Sequence, residues 1–344
     1  MQAVFFRAHG SPEVMEYGAL PDPAPGPDDV LVQVKAAALN RVDKWVRDGW
    51  PGLKLALPHI SGSDGAGVVA AVGANVTQFR PGERVSVNAN LGCGVCPYCV
   101  EGRDNLCDQW HLIGETVPGL AAELIALPAR QLLHLPEHVA FEQAAATGLV
   151  YQTAWHSLIA RGGLQAGESV LIVGAAGGVN TASIQIAKLA GCLVYVVGSD
   201  ERKLQLAASL GADVLIDRSK GEWGKQVFQL TNKRGVDVVV DNVGAATLMT
   251  SLRTARKGGR VLTVGNTSGP KFEFDNRYMF ARHVSLIGST MSTRAEYATV
   301  MGLVFADKLK PVIDSVVPAR EARTAHEKLE RGDVFGKIVL DMTA

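Results

Sequence analysis

Ser169-Val170-Leu171-Ile172-Val173-Gly174-Ala175-Ala176-Gly177-Gly178-Val179-Asn180 reads as an uncharged strand, a turn of small residues and the first turn of a helix. That order is the one in which backbone N–H groups at a helix N-terminus can reach a pyrophosphate. Gly174, Ala175, Ala176, Gly177, Gly178 and Val179 are therefore candidate cofactor contacts. Asn180 stands where a third Gly or Ala is expected for close packing of helix on strand.

Working outward from this turn, strand-like runs recur at 169–174, 193–198, 213–216, 236–241, 260–265 and 284–288. Helical stretches lie between them, at Thr181 to Ala190, ended by Gly191, and at Glu201 to Leu210, ended by Gly211. Strands alternating with helices predict an α/β, doubly wound parallel sheet. The second strand runs into Gly198-Ser199-Asp200-Glu201-Arg202-Lys203. Asp200 could bind the ribose hydroxyls of NAD, whereas Ser199, Arg202, Lys203 and the later Arg218 could cradle a 2′-phosphate.

Residues 1 to about 147 have a different texture: short β-like runs such as Val30 to Val34 and Gly67 to Val72, punctuated by Pro and Gly, with little helical periodicity. Within them lies Gly92-Cys93-Gly94-Val95-Cys96-Pro97-Tyr98-Cys99, closed by Cys107. The spacing aims Cys93, Cys96, Cys99 and Cys107 at one centre, as in a four-thiolate zinc site. Such a shell leaves no position for water or substrate, so the ion it predicts is structural. An iron–sulfur cluster fits less well, because the last gap is long and Asp108 rather than Pro follows Cys107. After about residue 289 the chain turns helical, then ends in Gly336 to Leu340, a β-like run that could rejoin the first lobe.

With 344 residues the chain has room for two domains. Lys+Arg and Asp+Glu are equal at 34 each, so no global field favours nucleic acid or an anionic membrane. The start, Met1 to Arg7, does not read as a signal peptide. Five cysteines, four of them clustered, fit metal thiolates plus one spare, Cys192, in a reducing cytoplasm.

Taken together, Ala37-Ala38-Leu39-Asn40-Arg41-Val42-Asp43, Pro58 to Val69, the cysteine lobe, Gly177-Gly178-Val179 and Phe335-Gly336-Lys337 resemble the medium-chain dehydrogenase/reductase superfamily. The likeness is to its zinc-containing alcohol dehydrogenase branch, which includes quinone oxidoreductases. It implies a GroES-like catalytic domain over 1–147, completed by 289–344, and a Rossmann domain over 148–288. The family's catalytic zinc is held by Cys, by His followed by Glu, and by a second Cys. The matching positions here are Asn40, Ser63 followed by Asp64, and approximately Leu149, which implies that the catalytic metal is absent.

Aligned on the second helix, Gly198 stands where NAD-specific members carry an acid, so the resemblance implies NADP(H). Without a Lewis acid, a conjugated acceptor becomes the natural substrate: an enone, a quinone or an enoyl thioester. The alternatives are an alcohol dehydrogenase and an NADPH-binding protein without enzymatic role. By family position Asn40, Asp43, Trp50, Tyr151 and Asn266 border the nicotinamide, and Asn242 and Gly265 belong to its contacts. Asn40 could donate to the acceptor oxygen, Asp43 could be a loop anchor or a proton donor, and Tyr151 could line the cleft or pack. A homodimer or homotetramer is expected through the edge strand Val284 to Gly288.

Overall fold

The structure, a computed structural model, describes residues 1–344. The chain falls into two compact units, Met1–Leu149 with Ser292–Ala344, and Val150–Met291. No helix is long and apolar enough to cross a membrane.

The second unit is built on a six-stranded parallel sheet. Across it the strands run Val214–Asp217, Leu193–Gly198, Ser169–Val173, Val236–Asp241, Ala255–Thr263 and Ser285–Gly288. In sequence terms this is the order 3-2-1-4-5-6, the doubly wound arrangement, with its switch point between the first and fourth strands. The Ser169–Val173 and Val236–Asp241 strands are buried at every position, which is why valines, leucine and isoleucine fill them without alternation, while the buried polar Ser169 and Asp237 hydrogen-bond each other. The helix Gly178–Leu189 follows the first strand and Glu201–Ser209 the second. Asp200 caps the latter by accepting from the Lys203 N–H at 3.0 Å. Leu171, Val173, Tyr195, Val197, Val239 and Leu252 are among the side chains that close the core on one face.

The first unit is a β-rich body with the GroES-like pattern. Its central strand, Asp29–Ala38, pairs with Gly65–Val72 along one side. On the other side it pairs with Leu124–Pro128 and then with Lys337–Asp341. The C-terminal run therefore does close the first unit, in the register Val339↔Ala38, Leu340↔Ala37 and Asp341↔Ala36. Small residues line the contact with the helix Phe141–Trp155: Ala36, Ala38, Ala145 and Ala146 form one cluster with Val339. Two helical stretches depart from the sequence expectation of a lobe poor in helix: Arg41–Asp48, and the first turns of Phe141–Trp155. The Ala255–Thr263 strand starts five residues earlier than the pattern indicates, with a register irregularity at Val236/Val238.

Candidate active site and metal centre

In the first unit three strand ends bring Asn40, Asp64 and Lys337 together. Asn40 follows the Asp29–Ala38 strand, Asp64 precedes Gly65–Val72, and Lys337 opens Lys337–Asp341. All three are buried. Lys337 Nζ donates to Asp64 Oδ2 at 2.8 Å and to Asn40 Oδ1. The Asn40 amide donates to Asp64 Oδ2 at 2.8 Å and to the Ala38 carbonyl at 3.4 Å. The remaining oxygen of Asp64 accepts the Leu149 backbone N–H at 2.6 Å. A Cβ on Gly148 would lie 2.2 Å from that oxygen, so the helix admits the carboxylate only where it carries no side chain.

The positions that the resemblance pairs with ligands of a catalytic zinc therefore do converge. Asn40 and Asp64 hold the ammonium of Lys337, and their oxygens are already spent on it, on the Asn40 amide and on the Leu149 N–H. The fourth group, Ser63 Oγ, is buried without a hydrogen-bond partner. An amide, a hydroxyl and one carboxylate, with no thiolate or imidazole, do not fit zinc. The Asn40 N–H groups are directed at Asp64 and Ala38, and its oxygen at Lys337.

Asp43, in the first turn of Arg41–Asp48, accepts from the Asn40 N–H at 2.6 Å and the Gly62 N–H at 3.0 Å. Complete burial raises its carboxyl to about 6, the Asp64 charge adding to the rise while those N–H groups and Lys337 oppose it. It ties the Gly62 turn to the helix start. Trp50 is partly exposed. Tyr151, in the second unit, is buried with its hydroxyl accepting from Gln185 Nε2 at 2.7 Å, and burial pushes the phenol up.

The cysteine run forms the one cluster of metal-ligand type. The sulfurs of Cys93, Cys96, Cys99 and Cys107 lie within 4.8 Å of one another, and none is in a disulfide. Cys93 and Cys99 Sγ are 4.0 Å apart, close to the roughly 3.8 Å edge of a tetrahedron with Zn–S bonds of about 2.3 Å. Backbone N–H groups already point at the sulfurs: Val95 and Cys96 at Cys93, Cys93 and Gln109 at Cys107. Those of Val95 and Cys96 hold the Cys93 thiol down, to about 6. A Cβ on Gly92 would come within 2.9 Å of Cys99 Sγ. The donor set and its shape fit a four-thiolate zinc.

The second unit gathers the candidate cofactor residues along the C-terminal ends of its strands, where open α/β sheets bind ligands. Gly174 has φ of 109°, and Gly177 caps the helix that begins at Gly178. Gly177 is exposed and Gly178 and Val179 half-buried, while Ala175 and Ala176 pack inward. Gly198 pairs in register with Asp217, which puts Ser199 and Arg218 at neighbouring strand ends. The Ser199 hydroxyl donates to Asp200 at 2.9 Å and Lys203 pairs with Asp200 at 3.4 Å, with Arg202 in the same helical turn. At Gly198 a Cβ would meet the Leu204 side chain at 2.6 Å, so a side chain there would require Leu204 to shift. Asn242 follows Val236–Asp241, and Gly265 and Asn266 follow Ala255–Thr263. A Cβ on Gly265 would be 3.0 Å from the Asn242 carbonyl, so these two turns are in close contact.

The alcohol dehydrogenase GroES-like domain profile matches residues 26–137, and the zinc-binding dehydrogenase profile residues 178–306. Quinone oxidoreductase of Homo sapiens is 30% identical over 99% of this chain and 97% of its own length. The chain belongs to the medium-chain dehydrogenase/reductase superfamily. Within this superfamily its place is the branch of zinc-type alcohol dehydrogenases and quinone oxidoreductases, and like them it is an oxidoreductase. Acryloyl-coenzyme A reductase of Metallosphaera sedula is 28% identical over 99% of both chains. A solved NAD-dependent alcohol dehydrogenase superposes with a TM-score of 0.96 at 42% identity, covering 99% of this chain and all of that one.

Lys337 lies within the Phe335-Gly336-Lys337 motif, where no local pattern assigns it a role. The signal was a lone Lys opening an apolar strand; its partners lie 273 and 297 residues away.

Proposed function

We propose that this enzyme is an NADP(H)-dependent reductase of conjugated carbonyl compounds, an enone, a quinone or an enoyl thioester, with one structural zinc per chain and no catalytic zinc. The observation that carries the reading is the Lys337–Asp64–Asn40 cluster, in which an ammonium takes the donors a catalytic metal would need. Similarity to a quinone oxidoreductase and to an acryloyl-coenzyme A reductase supports the acceptor class.

Bound NADPH would supply a hydride to the carbon β to the acceptor's carbonyl, leaving the negative charge spread onto that oxygen. The chain's own part is binding and order. The helix start at Gly178 and the turn Gly174 to Gly177 hold the pyrophosphate. Ser199, Arg202, Lys203 and Arg218 hold the 2′-phosphate, and Asn242, Gly265 and Asn266 the nicotinamide side. Lys337 fixes Asn40 and Asp64, and Asp43 fixes the Gly62 turn; the α-carbon takes its proton from water. Cys93, Cys96, Cys99 and Cys107 hold the structural zinc. Thiolates kept for a metal belong to a reducing compartment, the cytoplasm. We assign the chain a homodimeric or homotetrameric state.

A second reading, an NAD-dependent enzyme acting on alcohols, is favoured by Asp200 at the end of the second strand and by similarity to an NAD-dependent alcohol dehydrogenase. Elemental analysis joined to steady-state assays separates the two. The proposal expects one zinc per chain, NADPH oxidation by an enone, a quinone or an enoyl thioester, and loss of the preference for NADPH over NADH in an Arg202→Ala/Arg218→Ala double variant. Two zincs per chain with alcohol-dependent reduction of NAD would overturn it.

A further inference from the structure

Asn180 occupies the packing position of the fingerprint, and its buried amide is fully oriented. Nδ2 donates to the Val173 carbonyl at 3.0 Å, and Oδ1 accepts from Asn242 Nδ2 at 3.1 Å. The amide lies beneath the two turn glycines: a Cβ on Gly174 would be 3.0 Å from Nδ2, and one on Gly177 would be 2.8 Å from Oδ1. The side chain thus fills the space that those two glycines leave. On the far side, the Asn242 carbonyl accepts from Thr267 Oγ1 at 3.1 Å. Hydrogen bonds therefore link Val173 to Asn180, Asn180 to the Asn242 side chain, and the Asn242 backbone carbonyl to Thr267. They tie together the ends of three adjacent strands, Ser169–Val173, Val236–Asp241 and Ala255–Thr263.

In a sheet of this order the pyrophosphate sits at the first turn and one nucleotide spreads over each side. The ribose and phosphate contacts of the adenosine lie toward Leu193–Gly198, so the nicotinamide nucleotide lies toward Asn242 and Gly265. We propose that Asn180 is a positioning residue: it replaces the packing glycine with a strut that fixes the Asn242 amide, and thereby sets the seat of the nicotinamide half independently of the adenosine half. One N–H and the oxygen of Asn242 remain to meet the polar groups of that half. The inference rests on the dinucleotide-binding reading above.

The test compares ligands that share the adenosine side. Affinities for NADPH and NADH, and for 2′,5′-ADP and ADP, are measured by fluorescence and calorimetry on the full chain and on Asn180→Gly, Asn180→Ala and Asn242→Ala. The expected result is a loss of at least tenfold for NADPH or NADH, whichever binds wild type, with the matching adenosine nucleotide within twofold. Unchanged fragment binding also shows that the turn is folded, and Asn242→Ala leaves the Asn180 to Val173 bond in place. Parallel loss of dinucleotide and fragment, or no loss of either, overturns the strut while leaving the binding reading intact. A wild-type chain that binds none of the four ligands overturns both.

Discussion

Lys337 is a cation with almost no water around it, and its worth depends on what remains when it is cut away. Deleting one member of a buried ion pair leaves the other charged and unpaired, at a cost of about 3–5 kcal/mol. Lys337→Met is therefore expected to lower unfolding free energy by that order, with Asp64 stranded beside Leu149. Replacing both, as Lys337→Met/Asp64→Leu, removes the orphaned charge and returns most of the loss. Urea unfolding of the three variants reads the coupling directly, and additive losses would show that the two groups do not act as a pair. A second buried ionisable group acts on pH. Arg47 is fully buried; it donates to the Gly10 carbonyl at 2.9 Å, to His326 Nδ1 at 3.2 Å, and to Asp48 and Glu330. Burial first, and the Arg47 charge second, push His326 down to about 3. The unfolded imidazole takes up a proton near 6.5 while the folded one does not, so stability is lost as pH falls from about 6.5 toward 3. At pH 5 the cost is about 2 kcal/mol. His326→Gln, which keeps an acceptor for Arg47, is expected to flatten the difference between unfolding at pH 7.5 and pH 5. An unchanged difference would place the acid sensitivity elsewhere.

At the scale of elements, the cysteine lobe has little regular secondary structure, and side chains such as Arg130 and Gln131 tie it to its surroundings. Its only regular pairing is Asn90–Leu91 with His111–Leu112, and Val95, Val100 and Leu106 are exposed. Chelation, or Cys99→Ser, is expected to release zinc and to erase amide hydrogen-exchange protection across 90–112. The Asp29–Ala38 strand, paired along both sides, should keep its protection. Retained protection in the lobe after the metal is gone would show that its fold is metal-independent. The same contrast explains what the sequence could reveal. Buried parallel strands carry apolar runs such as Val170 to Val173, closed by Gly174, and the cysteine spacing is local, so both were legible. Arg41–Asp48 was not, because Val42, Trp45 and Val46 make an apolar face only two turns long, too short to set a period, and the charged Asp43 and Arg47 are buried beside it. Phe141–Trp155 is hidden for the opposite reason: it is buried almost all round, so its small and apolar residues carry no period. The Lys337 cluster joins three strand ends from opposite parts of the chain, and no local pattern encodes that meeting.

For the whole molecule, one unsolved valence is an edge of the parallel sheet, whose other edge is Val214–Asp217. Ser285–Gly288 pairs with Ala255–Thr263 on one side only, and unpaired strand edges attract further strands unless covered or charged. The segment before it adds apolar surface: Phe274 is 42% and Phe280 64% exposed. Equal numbers of acidic and basic residues supply no net self-repulsion to keep copies apart. A two-fold axis at this edge would let the strand meet its own twin and cover both phenylalanines, which is how an isologous contact satisfies one surface with itself. Light scattering after size-exclusion chromatography is thus expected to give at least twice the chain mass of 36.5 kDa. Phe280→Glu places a charge in the shared apolar patch and is expected to shift a dimer to single chains, or a tetramer to dimers, with cofactor affinity kept. A wild-type mass of one chain at micromolar concentration would refute the contact, and an unshifted Phe280→Glu would move it to another face.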